Sequence, residues 1–123
     1  MEVNKITGAI IDSAMKVHTA LGPGLLESAY EICLMHELRK RGFVVERQVV
    51  LPVEYDGLIL DAGYRLDLLV NDTVIVELKA VEKVNPVFEA QLLSYLKLSG
   101  KPVGLLINFH VAHLRDGIKR MVI

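Results

Sequence analysis

Two apolar segments between Tyr64 and Ala80 carry charged side chains at positions where a purely structural hairpin would carry none: Asp67 in the first, and Glu77 and Lys79 in the second. Paired carboxylates suit Mg²⁺ or Mn²⁺. An ammonium group beside them can hold a water nucleophile or neutralise charge that builds on a phosphate. These residue types therefore fit the metal-assisted hydrolysis of a phosphate ester. The alternative is a solvated hairpin face with a salt bridge from Glu77 to Lys79 or Arg65.

The polar turn Asn71–Thr73 joins the two segments and predicts an antiparallel pair of strands. With a three-residue loop, Asp67 lies directly across from Glu77 and both point to one face, which Arg65 and Lys79 share. The other face is the predicted core side, formed by Leu66, Leu68, Val70, Val74, Val76 and Leu78. Because facing carboxylates repel each other, one takes up a proton unless a cation binds them.

Composition indicates one globular domain over residues 1–123, with 52% hydrophobic and 24% charged residues. The net charge of −1 gives no electrostatic argument for a nucleic-acid partner, although a local basic patch is compatible with it. The single Cys33 excludes an intrachain disulfide and fits a reducing compartment. Without a membrane-length apolar run or a signal peptide, we expect a cytoplasmic protein. A mean hydropathy of +0.39 favours an apolar surface buried in an oligomer.

Helical spacing of apolar residues predicts a first helix over residues 4–20, with Asn4 as its cap. The segment Gly22–Gly24 breaks the pattern, and a second helix follows over residues 25–41, with Gly42 as its stop.

Glu27 borders the apolar stripe of the second helix, one turn before Tyr30, so its side chain can reach the edge of the core. The alternative is a first-turn glutamate that is favoured only by the helix dipole. Glu31 and Glu37 are predicted to be solvated.

The apolar period changes to two over residues 43–60, with a strong turn signal at Tyr55–Gly57. Residues 58–62 are predicted to begin the strand that leads into the central hairpin, which gives at least three antiparallel strands. A third helix is predicted from Pro86 to about Ser99. The apolar residues 103–109 then form a buried strand parallel to a neighbour, and residues 118–123 a short last strand.

Other candidate sites are weaker. His110 and His113 have the spacing of a helical zinc pair but stand in a predicted strand end or loop, without a cysteine partner. No Gly-rich phosphate loop is present. Cys33 is best explained as a small core residue.

Three motifs occur in a meaningful order. Gly-x-x-Glu-x-x-Tyr spans Gly24–Tyr30, the acidic core comprises Asp67 and the tripeptide Glu77–Lys79, and Gln-x-x-x-Tyr spans Gln91–Tyr95. In this combination the chain resembles the PD-(D/E)XK nuclease superfamily, most closely the group named for its Gly-x-x-Glu-x-x-Tyr motif, with the Gln-x-x-x-Tyr motif of RecB-type nucleases. Leu66 stands where the superfamily's name has proline.

The resemblance implies an α/β fold with a restriction-endonuclease-like αα-βββ-α-β core, in which helices flank a central mixed sheet. It implies hydrolysis of phosphodiester bonds in nucleic acid, with DNA as the expected substrate, and a dimer if both strands of a duplex are cut. The alternative is an inactive module of the same fold that acts in nucleic-acid binding, regulation or protein interaction.

The resemblance also implies residue roles. Asp67 and Glu77 would bind Mg²⁺ or Mn²⁺, and Glu27 would add a further oxygen. Lys79 would position the attacking water and stabilise the transition state. Gln91 would orient the site or touch the substrate backbone. The supporting residues would be Tyr30 and Tyr95.

Overall fold

The computed structural model describes all 123 residues as three α-helices, seven β-strands and one short 3₁₀ helix. The helices are α1 (Val3–Leu21), α2 (Glu27–Lys40) and α3 (Pro86–Ser99). The strands are β1 (Val45–Val50), β2 (Val53–Tyr55), β3 (Leu58–Leu60), β4 (Arg65–Val70), β5 (Val74–Lys79), β6 (Val103–Asn108) and β7 (Ile118–Val122). The 3₁₀ helix spans Leu114–Gly117.

Five strands form one mixed sheet in the order β1-β4-β5-β6-β7. β4 is antiparallel to both β1 and β5, β6 is parallel to β5, and β7 is antiparallel to β6. The sequence predicts that β6 has a parallel neighbour, because the connection before it contains a whole helix, and the structure shows that this neighbour is β5. The short last strand is also confirmed.

Two apolar clusters cover the two faces of this sheet. The larger one packs α1 and α2 against the sheet through 18 buried residues, among them Ile10, Leu34, Leu68 and Val76. The smaller one lies under α3 and comprises Leu51, Leu66, Leu69, Ile75, Leu92, Tyr95, Leu96 and Leu106. Neither face of the central hairpin is therefore a solvated surface.

The predicted position of Leu66 on the same face as Leu68 is wrong. Leu66 packs with Leu69 beneath α3, whereas Leu68 belongs to the cluster on the opposite face. The alternation of side chains changes at Asp67 because regular pairing is interrupted there on both sides. The β4–β5 ladder begins at Leu68 opposite Val76, and the β1–β4 register skips Asp67.

The region between β1 and β4 also differs from the prediction. β2 and β3 pair only with each other, in a separate two-stranded hairpin, and β1 pairs directly with β4. The backbone N–H of Leu51 donates to the carbonyl of Tyr64 at 3.0 Å. This hydrogen bond closes the main sheet at the base of the segment that carries β2 and β3. The three antiparallel strands of the main sheet are thus β1, β4 and β5, and residues 58–62 do not lead into the hairpin.

Three predictions about the first two helices need correction. The N-cap of α1 is Glu2 rather than Asn4, whose side-chain oxygen instead accepts a hydrogen bond from Arg120 at 2.9 Å. Glu31 and Glu37 are buried rather than solvated. Each has cationic partners that compensate for its burial: Arg47 for Glu31, and Lys16, Lys40 and Arg41 for Glu37.

Helix α3 lies close against the sheet because β6 carries a glycine at the contact. A Cβ on Gly104 would lie 2.7 Å from Cδ1 of Leu92, so a larger residue would push the helix outward. The bounds of α3 follow local signals, since Asn85 caps its first turn and Gly100 ends it in the left-handed conformation. This close approach brings Tyr95 towards the charged residues of the hairpin.

Candidate active site

Asp67 and Glu77 interlock at the end of the β4–β5 pair. Glu77 accepts the backbone N–H of Asp67 at 2.9 Å through Oε2, and Oδ2 of Asp67 accepts the N–H of Leu78, also at 2.9 Å. The pairs Leu68–Val76 and Val70–Val74 match the predicted register with its three-residue loop. Beyond Leu68 and Val76 the regular ladder stops, and the two carboxylates accept the backbone N–H groups there. The predicted register therefore brings the two acids together.

The electrostatics of this pair favour a proton on Glu77 when no cation is present. Glu77 is 7% exposed, and this burial raises its pKa to about 9, with the charge of Asp67 as the second cause. The hydrogen bond from the Asp67 N–H opposes the shift only in part. The site is therefore deficient in positive charge at neutral pH.

Lys79 does not supply that charge through direct contact. Its Nζ lies 4.3 Å from the centroid of the Phe88 ring, and its charge has the smallest effect of the groups that act on the pKa of Glu77. Lys79 makes no salt bridge, and Arg65 pairs with Asp61 at 3.1 Å. The salt-bridged alternative for this face is therefore wrong, and the Lys79 ammonium group is left without an anionic partner.

Tyr95 approaches the acids from α3. It is almost fully buried, and this burial, followed by the charges of Glu77 and Asp67, raises its pKa to about 12. Its ring meets that of Tyr64 edge-on, with centroids 6.0 Å apart. Gln91, one turn earlier, is half-buried and lines a hollow of about 430 Å³ together with both tyrosines. Tyr95 thus adjoins the acidic pair, whereas the lining of the hollow that contains Gln91 includes neither Asp67 nor Glu77.

Glu27 is exposed at the first position of α2 and lines a hollow beside Ala80, which directly follows β5. The loop before it is held by Tyr30, whose hydroxyl donates to the carbonyl of Gly22 at 2.5 Å and accepts the N–H of Leu25 at 3.0 Å. The Tyr30 ring stacks on Phe109, with centroids 4.3 Å apart. These contacts explain why a tyrosine three residues after Glu27 fixes where α2 begins.

Comparison with protein families assigns the chain. The model that describes the PD-(D/E)XK nuclease superfamily matches residues 4–121. The chain belongs to this superfamily. Its mixed sheet with flanking helices is consistent with the restriction-endonuclease-like core, and membership supports a nuclease-type function. Comparison with curated proteins and with solved structures gave no match. None of the three helices is long and apolar enough to cross a membrane.

PD-(D/E)XK nucleases generally use divalent metal ions, and the donors present here fit such an ion. Asp67 and Glu77 offer only carboxylate oxygens, the ligands preferred by hard cations, and Oε1 of Glu77 accepts no hydrogen bond from the protein. A bound cation would also remove the charge deficit that protonates Glu77. No three His, Cys, Asp or Glu side chains come together as a metal cluster, so Glu27 does not join the pair in this arrangement.

Two residues connected to Asp67 were not singled out from the sequence. Buried Glu31 contacts Gln48 on β1, and Gln48 in turn reaches Asp67. One signal was available: Glu27 and Glu31 are four residues apart on α2 and therefore share a helix face. The contact with Gln48 depends on the local backbone of β1, which has no sequence signature.

Proposed function

We propose that the protein is a metal-dependent nuclease that hydrolyses phosphodiester bonds in DNA with Mg²⁺ or Mn²⁺ as cofactor. The observation that carries this proposal is the interlock of Asp67 and Glu77, which fixes two carboxylates side by side without a cationic partner. Such a pair is electrostatically costly, and accepting two backbone N–H groups does not require two ionisable side chains.

The roles follow the positions. Asp67 and Glu77 hold the ion, and Glu27 reaches the site by a side-chain movement from the first turn of α2. In such a site the ion supplies polarisation of the phosphate oxygen. Lys79 positions the attacking water and stabilises negative charge that develops on the phosphate. Gln91 contacts the substrate backbone, with Tyr95 packed behind it and Tyr30 holding the Glu27 loop.

The second candidate is a module of the same fold that binds nucleic acid or protein without turnover. Two observations favour it: the net charge of −1 and the absence of a three-carboxylate cluster. This candidate predicts that binding is unaffected by chelators.

A cleavage assay separates the two candidates. Purified wild type is incubated with Mn²⁺ or Mg²⁺ and with single-stranded, duplex and branched DNA, and with RNA, in parallel with Asp67→Ala. The matched control is Glu46→Ala, which removes an exposed carboxylate from the neighbouring strand β1. Cleavage of DNA by wild type and Glu46→Ala, abolished by EDTA and by Asp67→Ala, supports the nuclease. Equal cleavage by Asp67→Ala refutes it.

We further propose that residues 1–123 act as one domain, in the cytoplasm, as a homodimer within the Gly-x-x-Glu-x-x-Tyr group. The dimer rests on the need for two sites to cut a duplex and on the exposed apolar side chains of the β2–β3 hairpin, Tyr55, Leu58 and Ile59. Light scattering measures the mass of the purified protein in solution. A monomer mass at all protein concentrations would contradict the dimer.

A further inference from the structure

A buried glutamate connects α2 to the edge strand next to the site. The side chain of Glu31 is only 6% exposed, and both of its oxygens are occupied. Oε2 accepts Nε of Arg47 at 2.7 Å, and Oε1 accepts Nε2 of Gln48 at 2.6 Å. Arg47 supplies the charge that a buried carboxylate needs, so Gln48 is not required for neutralisation.

The backbone of β1 is irregular at the residue that this glutamate holds. Gln48 has φ +53°, in the left-handed region that long side chains rarely adopt. Successive strand residues normally point to opposite faces, yet Arg47 and Gln48 converge on one carboxylate. The β1–β4 register omits the Gln48–Asp67 pair while keeping the pairs on both sides of it. The strand therefore departs from regular geometry at the position facing Asp67.

The Gln48 amide meets a second carboxylate. Its Nε2 lies 3.4 Å from Oδ1 of Asp67, the oxygen that the Leu78 N–H leaves free. Carboxylates only accept hydrogen bonds, so the amide nitrogen must face both Glu31 and Asp67 and the amide oxygen must turn away. The orientation of this amide is thus dictated by its two partners.

We propose that Glu31 and Gln48 are positioning residues for Asp67. Glu31 fixes the Gln48 amide, and the amide fixes the rotation of the Asp67 carboxylate together with the Leu78 N–H. This inference rests on the proposed function, because it takes Asp67 to be a ligand of the divalent ion. A carboxylate held in one rotation binds an ion without first losing rotational freedom.

Two glutamates of the same helix allow a matched comparison. Glu37 is also buried on α2 and also paired with cations, but its partners Lys16, Lys40 and Arg41 lie outside the site. Glu31→Gln and Glu37→Gln each remove one buried charge from α2. If the role of Glu31 were purely structural, the two substitutions would change the Mn²⁺ affinity to a similar extent.

The decisive test compares Gln48→Ala and Gln48→Gly, each with the wild type. Both lack the amide, but glycine adopts a positive φ without strain and alanine does not. We expect both variants to bind Mn²⁺ about 10–100-fold more weakly than wild type, the range for groups that orient metal ligands. We expect Glu31→Gln to weaken binding and Glu37→Gln to leave it unchanged.

Mn²⁺ affinity is measured by calorimetry without substrate, beside kcat and KM for a DNA that the wild type cleaves and a thermal midpoint for folding. We expect kcat to fall at fixed Mn²⁺ while KM for DNA stays constant. Wild-type Mn²⁺ affinity in Gln48→Gly overturns the positioning role, as do equal effects of Glu31→Gln and Glu37→Gln. A wild type that neither binds Mn²⁺ nor cleaves DNA overturns the proposed function and this inference together.

Discussion

Glu77 accepts the backbone N–H of Asp67, while Asp67 accepts the N–H of the residue that follows Glu77. Each acid therefore completes the end of the β4–β5 pair with one carboxyl oxygen and has its second carboxyl oxygen left over. Alanine at either position removes a hydrogen bond as well as a charge. Asparagine and glutamine, which keep an acceptor oxygen, are the better probes of the charge alone.

The raised pKa of Glu77 predicts a pH-dependent stability in metal-free solution. The folded state binds the proton more tightly than the unfolded state, so this contribution is full below the ordinary pKa of 4.5 and is lost as the pH rises towards 9. Glu77→Gln should flatten this decline and raise the free energy of unfolding at pH 8 by several kcal/mol. Urea unfolding in EDTA between pH 5 and 9 measures this pH dependence of the free energy of unfolding, and Glu46→Gln, at an exposed position, is the control. An unchanged slope in Glu77→Gln would contradict the assignment.

Binding of the ion should displace the proton from Glu77. At pH 7.5 we expect about one proton to be released per Mn²⁺ bound, because ligands must be deprotonated, and the release should fall to about half as the pH reaches the pKa of about 9. Calorimetry in two buffers of different ionisation enthalpy counts these protons. Saturating Mn²⁺ at a hundred times its Kd should also stabilise the fold by about 2.7 kcal/mol. Binding without proton release at pH 7.5 would show that Glu77 is not the protonated group.

Replacement of Lys79 should separate chemistry from ion binding. Since the Lys79 ammonium contacts the Phe88 ring rather than either acid, Lys79→Met should leave Mn²⁺ affinity unchanged. Cleavage should fall by about 10²–10³-fold, the loss typical of one group that stabilises transition-state charge. Lys83→Met, in the exposed loop after β5, is the control and should cleave normally. A parallel loss of Mn²⁺ affinity would place the amine in the ion site instead.

Loss of the Tyr30 hydroxyl should destabilise the loop that precedes Glu27. Tyr30→Phe keeps the stacking on Phe109 but removes the hydrogen bonds to Gly22 and Leu25, at a cost of about 1–3 kcal/mol. Chemical unfolding measures the loss, and amide exchange at Leu25 should accelerate. Tyr55→Phe, on the exposed hairpin, should change stability by less than about 0.5 kcal/mol. Equal effects of the two changes would refute the role given to the Tyr30 hydroxyl.

The sequence predicts best where the signals are local. The bounds of α3 follow from Asn85, Pro86 and Gly100, and the register of the central hairpin follows from its turn and its apolar alternation. The encounter of Asp67 with Glu77 depends only on that register. For this reason the sequence alone predicts the acidic pair.

Features that depend on distant partners could not be inferred in the same way. Leu66 lies beneath α3 because pairing is interrupted at Asp67, an event that involves three strands. Glu31 and Glu37 read as solvated residues because their cationic partners come from other elements or from the helix end. Glu27 matched its motif, yet its side chain stands outside the acidic pair.

The hydrogen bond between Leu51 and Tyr64 closes the main sheet without any strand from the β2–β3 hairpin. Residues 52–63 form a detachable branch on a continuous scaffold, so deletions, insertions or fluorescent labels there should spare the acids and the amine. A change in this branch would therefore alter the surface beside the acidic pair while leaving the strands that carry the pair in place.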